Sequence, residues 1–341
     1  MKNRFGYIMV VLLVMQCFPA FSQSFRNNMM WRTMRNELMF GGGVSNIMSD
    51  LGGRDMIGTD FLWDLETSKF KQAFNFNYGL YLSEKLVWRT RFTYGRLEGD
   101  DKLTKEPFRM NRNLHVRNDI IETATTLEFF FLNEKGGNRY GLRNKKGVRG
   151  RKIGAKMGGI GGYVFLGFGG FYHNPKAYYV NQWIPLKPLR TEGQGLPDGP
   201  DEYKQFVACI PMGFGFRKSI GSTGQWYIGL EMSYRFTFTD YLDDVSGYYY
   251  DKNVIQQAAN DAGENAPAAL YLADPNLFQQ GLGENPNPWT TGVYMTDVGQ
   301  MRGDITDRDG YLFAMVNIYY KIKKQPKRYT SLRRKRYRAS F

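Results

Sequence analysis

Trp226–Phe238 reads WYIGLEMSYRFTF. Trp226, Ile228, Leu230, Met232, Tyr234, Phe236 and Phe238 fall on one face, and Tyr227, Gly229, Glu231, Ser233, Arg235 and Thr237 on the other. A period of two with one apolar and one polar side is the pattern of an extended strand. It suits the half-buried strand of a soluble sandwich, or the wall of a membrane barrel whose apolar side meets lipid and whose polar side lines the bore.

Neighbouring segments settle the choice in favour of the barrel. From Lys71 to Leu82, Phe74, Phe76, Tyr78, Leu80 and Leu82 oppose Asn75, Asn77 and Gly79; from Leu86 to Leu97, Leu86, Trp88, Thr90, Phe92 and Tyr94 oppose Arg89, Arg91 and Thr93. Val116–Asn133, Gly158–Tyr172 and Phe206–Lys218 alternate in the same way. With Asn36–Ser45 and Gly310–Ile322 the expected strands number eight, an even count that closes an antiparallel sheet and leaves no edge. The connections between them run over residues 46–70, 83–85, 99–115, 134–157, 173–205, 219–225 and 240–309. Long ones alternate with short ones, as in outer-membrane barrels with both termini in the periplasm, and 134–157 departs from that rule. The fold class is therefore all-β: an eight-stranded antiparallel transmembrane barrel over residues 36–322. Pro267, Pro275, Pro286 and Pro288 predict a lid-like irregular loop in 240–309, with a short helix over Asn253–Ala262.

Composition agrees. Of 341 residues 16% are aromatic and 39 are glycine, against only 2 His and 2 Cys. A mean hydropathy of −0.48 leaves no apolar run long enough for a membrane-spanning helix. Lys2 and Arg4, the apolar run Tyr7–Met15 and the exit Pro19-Ala20-Phe21-Ser22 read as a secretory signal peptide over residues 1–22, followed by an N-terminal periplasmic segment over 23–35. Gln16 before Cys17 is not the small residue a lipobox needs. Cleavage leaves Cys209 as the sole thiol, either sheltered inside the fold or joined to another chain.

Eight strands enclose a bore that side chains fill. The inward faces carry Glu37, Glu122, Glu128 and Glu231 with Arg89, Arg91, Arg217 and Arg235. Buried charges need partners, so this balance predicts a salt-bridged plug; a proton or ion path is the alternative. The net charge of +14 is concentrated elsewhere: residues 134–156 carry +8, including Lys145, Lys146, Arg149, Arg151 and Lys152, and residues 321–341 carry +10, including Arg333, Arg334, Lys335 and Arg336. Both belong to the periplasmic side in this topology, 323–341 forming a basic tail. Export excludes nucleic acid and leaves an acidic protein surface, anionic lipid or cell wall as the partner of this docking face.

Chemical signals are weak. His115 and His173 lie at loop edges with no Ser or Glu persuasively placed beside them, so a lipid-modifying enzyme is a distant alternative, as is an adhesin using 240–309. Asp304, Asp307, Asp309 and Gly310 have the wrong spacing for an EF-hand and fit a turn into the last strand. No catalytic, cofactor or metal site is expected.

The run Thr239-Asp240-Tyr241-Leu242-Asp243-Asp244-Val245-Ser246 resembles a signature of small outer-membrane barrels of Bacteroidota-type bacteria, where PorG-like proteins carry it at the outer end of the seventh strand. Gly43-Val44-Ser45-Asn46 with Asp50-Leu51, Arg112-Asn113-Leu114 leading into Ile121-Glu122, and Asp309-Gly310-Tyr311-Leu312-Phe313 resemble the same family, with Ser49 standing where it has glycine. The resemblance covers about Asn36 to Lys321. It implies a non-enzymatic component of the type IX secretion system, in contact with outer-membrane lipids and with a periplasmic ring formed by a lipoprotein and its companion protein. It also implies that Cys209 is a candidate for an intermolecular disulfide with the ring lipoprotein, whereas the strand pattern turns Cys209 toward the lumen.

Overall fold

The computed structural model describes residues 30–51, 70–103, 107–132, 160–220, 224–276, 296–305 and 308–323. The signal peptide, the basic residues Lys145, Lys146, Arg149, Arg151 and Lys152, and the tail with Arg333, Arg334, Lys335 and Arg336 lie outside them, as does Asp307.

A turn of helix, α1 (Met30–Thr33), leads into β1 (Asn36–Met48), β2 (Lys71–Tyr81), β3 (Leu86–Asp100), α2 (Pro107–Arg112), β4 (His115–Leu132), β5 (Ile160–Tyr172), β6 (Pro175–Tyr179), β7 (Gln182–Pro185), β8 (Phe206–Ile220), β9 (Trp226–Thr237), α3 (Lys252–Asp261), α4 (Ala266–Ala273) and β10 (Gly310–Ile322). Eight of these strands form a closed antiparallel barrel in the order β3-β2-β1-β10-β9-β8-β5-β4, with β3–β4 pairing as the closing seam. The first and last strands run in continuous register from Asn36↔Ile322 to Met48↔Gly310, so neither keeps an open edge. The ladder is interrupted once between β5 and β8, where the pairs Leu166↔Met212 and Gly169↔Cys209 flank Pro211, which has no N–H to contribute.

Strand parity sorts the side chains. Phe40, Phe76, Trp88, Phe92, Phe129, Leu166, Phe214, Ile228, Leu230 and Ile318 are exposed on the outer wall, the outward apolar belt by which a transmembrane barrel meets lipid. The inward positions are buried and combine charged groups with large rings and glycines. A Cβ on Gly95 would lie 2.5 Å from the Phe313 ring, so its absence is what lets that ring cross the bore.

Strand boundaries shift slightly from the sequence expectation: β1 and β3 run on to Met48 and Asp100, and β10 matches it at both ends. Larger differences appear in the connections. The segment 173–205 contains a hairpin, β6–β7, whose first strand extends the sheet from β4 through Arg117↔Lys176 and Asn118↔Pro175. The segment 240–309 holds the short helix expected over Asn253–Ala262, as α3 (Lys252–Asp261), and a second helix, α4, where an irregular lid was expected. α3 is capped by the Asp251 carboxylate, which accepts from Asn253 N at 2.8 Å. α4 opens with Pro267 in its first turn and Asn265 Oδ1 accepting from Ala268 N at 3.1 Å. A proline at that position starts a helix, which is why its reading as a loop marker fails.

All four connections at this end share one apolar core with the upper barrel. Leu51, Leu114, Leu186, Leu189, Leu242, Val245, Ile255 and Leu272 are buried together. The barrel thus carries a folded cap at the end opposite its termini.

Candidate functional site: a plugged bore and a clasped cap

The structure brings together all eight lumen charges predicted from parity. Six alternate in sign along one continuous chain. Arg217 Nη1 donates to both Glu37 oxygens at 2.9 Å, and Arg89 Nη2 donates to Glu37 Oε1 at 2.6 Å. Arg89 Nε reaches Glu128 Oε1 at 2.5 Å, and Arg91 Nη2 reaches the same oxygen at 2.7 Å. Arg91 Nη1 ends the chain on Glu231 Oε1 at 2.6 Å. Arg235 and Glu122 form a separate two-point pair at 2.9 and 3.2 Å. Every one of the eight is 3% exposed or less, so water reaches none of them in this state.

Aromatic rings complete the plug, a contribution the alternation pattern did not reveal because it assigned the aromatics chiefly to lipid. Tyr81 O–H donates to Glu37 Oε2 at 3.0 Å and accepts from Arg217 Nη2. Tyr163 O–H donates to Glu231 Oε2 at 2.7 Å. Arg217 lies over the Phe130 ring at 4.5 Å and the Tyr319 ring at 4.9 Å, Arg91 over Phe165 at 4.0 Å, and Arg235 over Phe313 at 4.4 Å. Desolvated contacts of this type contribute up to about 2 kcal/mol each. Lys321, the first cation of the basic terminal segment, sits on the Tyr81 and Tyr227 rings at 4.9 and 4.4 Å and closes the terminus end.

Cys209 is fully buried at the cap end of β8, between Gly169 and Thr237. The intermolecular disulfide requires an accessible thiol, and the fold encloses this one. Its inward parity, set by the unbroken alternation of β8, is the reason.

The signature run Thr239–Ser246 leaves β9 and clasps the cap. Leu242 N donates to Asp309 Oδ2 at 2.7 Å, and Asn118 Nδ2 donates to Leu242 O at 2.6 Å. Asp243 Oδ2 accepts from Leu51 N at 3.2 Å and its Oδ1 from Val245 N at 3.0 Å; Ser49 also hydrogen-bonds this carboxylate. Asp244 stands at φ +67°, and its Oδ1 accepts from Tyr203 O–H at 2.8 Å. Ser246 N donates to Glu192 Oε1 at 2.9 Å. The Tyr241 ring stacks on Tyr203 at 4.9 Å, and Thr239 Oγ1 accepts from Tyr241 N.

Arg112 ties three connections: it forks onto Asp101 at 2.7 and 2.9 Å and donates to the carbonyls of Asp50 and Arg302. Arg302 Nη1 in turn donates to Glu192 Oε1 at 2.9 Å. Asp50, Arg112 and Asp309 all fall within the short segments that carry the family resemblance, so the resemblance maps onto one physical joint. Glu192 and Arg302 lie outside those segments and had no sequence signal.

The two histidines are far less suggestive. His115 Nε2 accepts from Tyr178 N at 2.8 Å. His173 is buried with Nε2 donating to Lys204 O at 2.9 Å, and burial pushes it down to about 4. Among the described residues neither ring hydrogen-bonds a carboxylate or a hydroxyl, and no group of three or more His, Cys, Asp or Glu side chains could hold a metal ion. Asp304 and Asp309 instead serve the cap joint.

No curated protein matches the chain. Among solved structures, the chain is similar to the attachment invasion locus protein Ail of Yersinia pestis in complex with the heparin analogue sucrose octasulfate, at 9% identity and a TM-score of 0.33 over 84% of this chain and 98% of that one. Neisserial surface protein A gives 6% identity and 0.33 over 84% and 97%, and the outer membrane protein OprG from Pseudomonas aeruginosa 7% and 0.32 over 85% and 97%. Residues 24–138, which include β1 to β4, match a family model described as a domain of unknown function, DUF6089, on a chain whose own geometry is that of an eight-stranded outer-membrane barrel.

Proposed function

We propose that this chain is a non-enzymatic, PorG-like component of the type IX protein secretion system that sits in the outer membrane with both termini periplasmic and anchors the periplasmic lipoprotein ring. The observation that carries the reading is the plug. A barrel whose bore is filled by a continuous chain of ion pairs and stacked rings passes no cargo, so its work is done by the surfaces it holds at the membrane. The signal peptide and the apolar belt support the location. The clasp segments support the lineage, because the residues that resemble PorG-like barrels are the ones that meet in the cap. The charges of +8 and +10 on the sequence segments 134–156 and 321–341 support docking to an acidic surface of the ring.

Affinity capture of the full chain from detergent-solubilised outer membranes should recover the ring lipoprotein and its companion, and a chain ending at Lys323 should recover several-fold less. Capture with no secretion component overturns the assignment.

A further inference from the structure

Asp243 and Asp309 are 1% and 3% exposed and are held by uncharged donors: the N–H groups of Leu51, Val245 and Leu242, together with Ser49. The guanidinium groups nearby are committed to other carboxylates, Arg112 to Asp101 and Arg302 to Glu192. Further acids surround the pair. Asp50 Oδ2 accepts from Asp304 N at 2.6 Å, the Asp240 and Asp304 carboxyls face Asp50 across the joint, and Asp244 lies on the next turn beside Glu192. Arg109 faces Asp50 from α2. Among the described residues carboxyls outnumber cations in this joint, and like charges buried together cannot all ionise without cost.

We propose that the Asp243–Asp309 hub is a proton-held latch that fastens the β9–β10 connection to the β1–β2 connection and loosens the cap as pH rises. The neutral carboxyl removes repulsion from a site where three connections of the cap are joined through acidic side chains. Burial and mutual repulsion hold Asp243 and Asp309 well above the ordinary aspartate value of 3.8, and push Asp240 up to about 7 and Asp244 up to about 6. A group raised in the folded state contributes stability that is fully present below its unfolded value and is lost as pH climbs through its folded one. For this joint the loss starts near pH 4 and continues through neutrality. Arg112 and Arg302 keep the cap attached while the latch loosens, so the response is local.

The test is hydrogen exchange on the full-length chain in detergent micelles at pH 5, 6.5 and 8, corrected for intrinsic rates. Protection of the Leu51, Leu242 and Val245 amides should fall at least about tenfold from pH 5 to 8, one pKa unit corresponding to a factor of ten, while the β1–β10 ladder amides stay constant. Asp309→Asn keeps an oxygen acceptor for Leu242 N–H and carries no charge, and its protection should change less than about twofold. Should that variant fail to give a heat-modifiable barrel on gels, Asp240→Asn is the substitute, with at least half of the pH response removed. Wild-type protection that is flat with pH, or a folded variant that keeps the wild-type response, overturns the latch.

Discussion

Glu128 is the hinge of the lumen chain, because one of its oxygens accepts from both Arg89 and Arg91. Glu128→Gln strips the charge between two buried guanidinium groups, and removing one partner of a buried pair costs about 3–5 kcal/mol. Glu231→Gln, at the end of the chain, leaves Arg91 still paired with Glu128 and should cost measurably less. Urea unfolding in lipid vesicles checks the order, and equal costs for the two variants would contradict a chain in which position matters. Cys209 gives a second residue-scale expectation: its enclosed thiol should resist maleimide in the folded barrel, react after unfolding, and leave a monomer band unaltered by reductant. The lumen residues were legible in the sequence because parity alone fixes which face of a strand a residue occupies. Glu192 and Arg302 were not, because their partners are set by how loops meet rather than by any local period.

At the scale of elements, legibility followed the same division. β10 could be bounded at both ends because its apolar run from Tyr311 is flanked by charged residues, Arg308 and Asp309 before it and Lys323 and Lys324 after it. The β6–β7 hairpin was hidden inside a segment rich in turn-forming residues, and its own turn is made by Val180 and Asn181 at φ +43° and +63°. Two positive φ values between paired strands define a type I′ turn, which favours Asn and Gly. A β-branched residue there is strained, so the turn carried no recognisable signal. Val180→Gly should relieve about 1 kcal/mol of that strain. Exchange of the amides at the Tyr179↔Gln182 pair should slow by roughly fivefold; unchanged or faster exchange would mean that the hairpin draws its stability from the Tyr178–Trp183 and Arg117–Trp183 contacts and not from its turn.

For the whole molecule, the central question is whether a barrel can be both sealed and useful. Eight strands leave a bore that side chains can fill, and here the filling is charged, so its seal depends on pairing rather than on apolar packing. Opposite charges alternate along the bore, and among the described residues no like-charged lining remains to select or pass an ion. The cap adds a second closure, with all four of its connections contributing to one apolar core. In planar bilayers the intact protein should therefore give no steady conductance above the bare membrane at neutral pH. The Glu128→Gln variant, with Arg89 and Arg91 repelling each other at mid-bore, should show at most brief openings, since the cap still covers one end. A steady ohmic current through the wild-type barrel would break the link between plug and anchor, because a protein that conducts would no longer need its surfaces to explain its presence in the membrane.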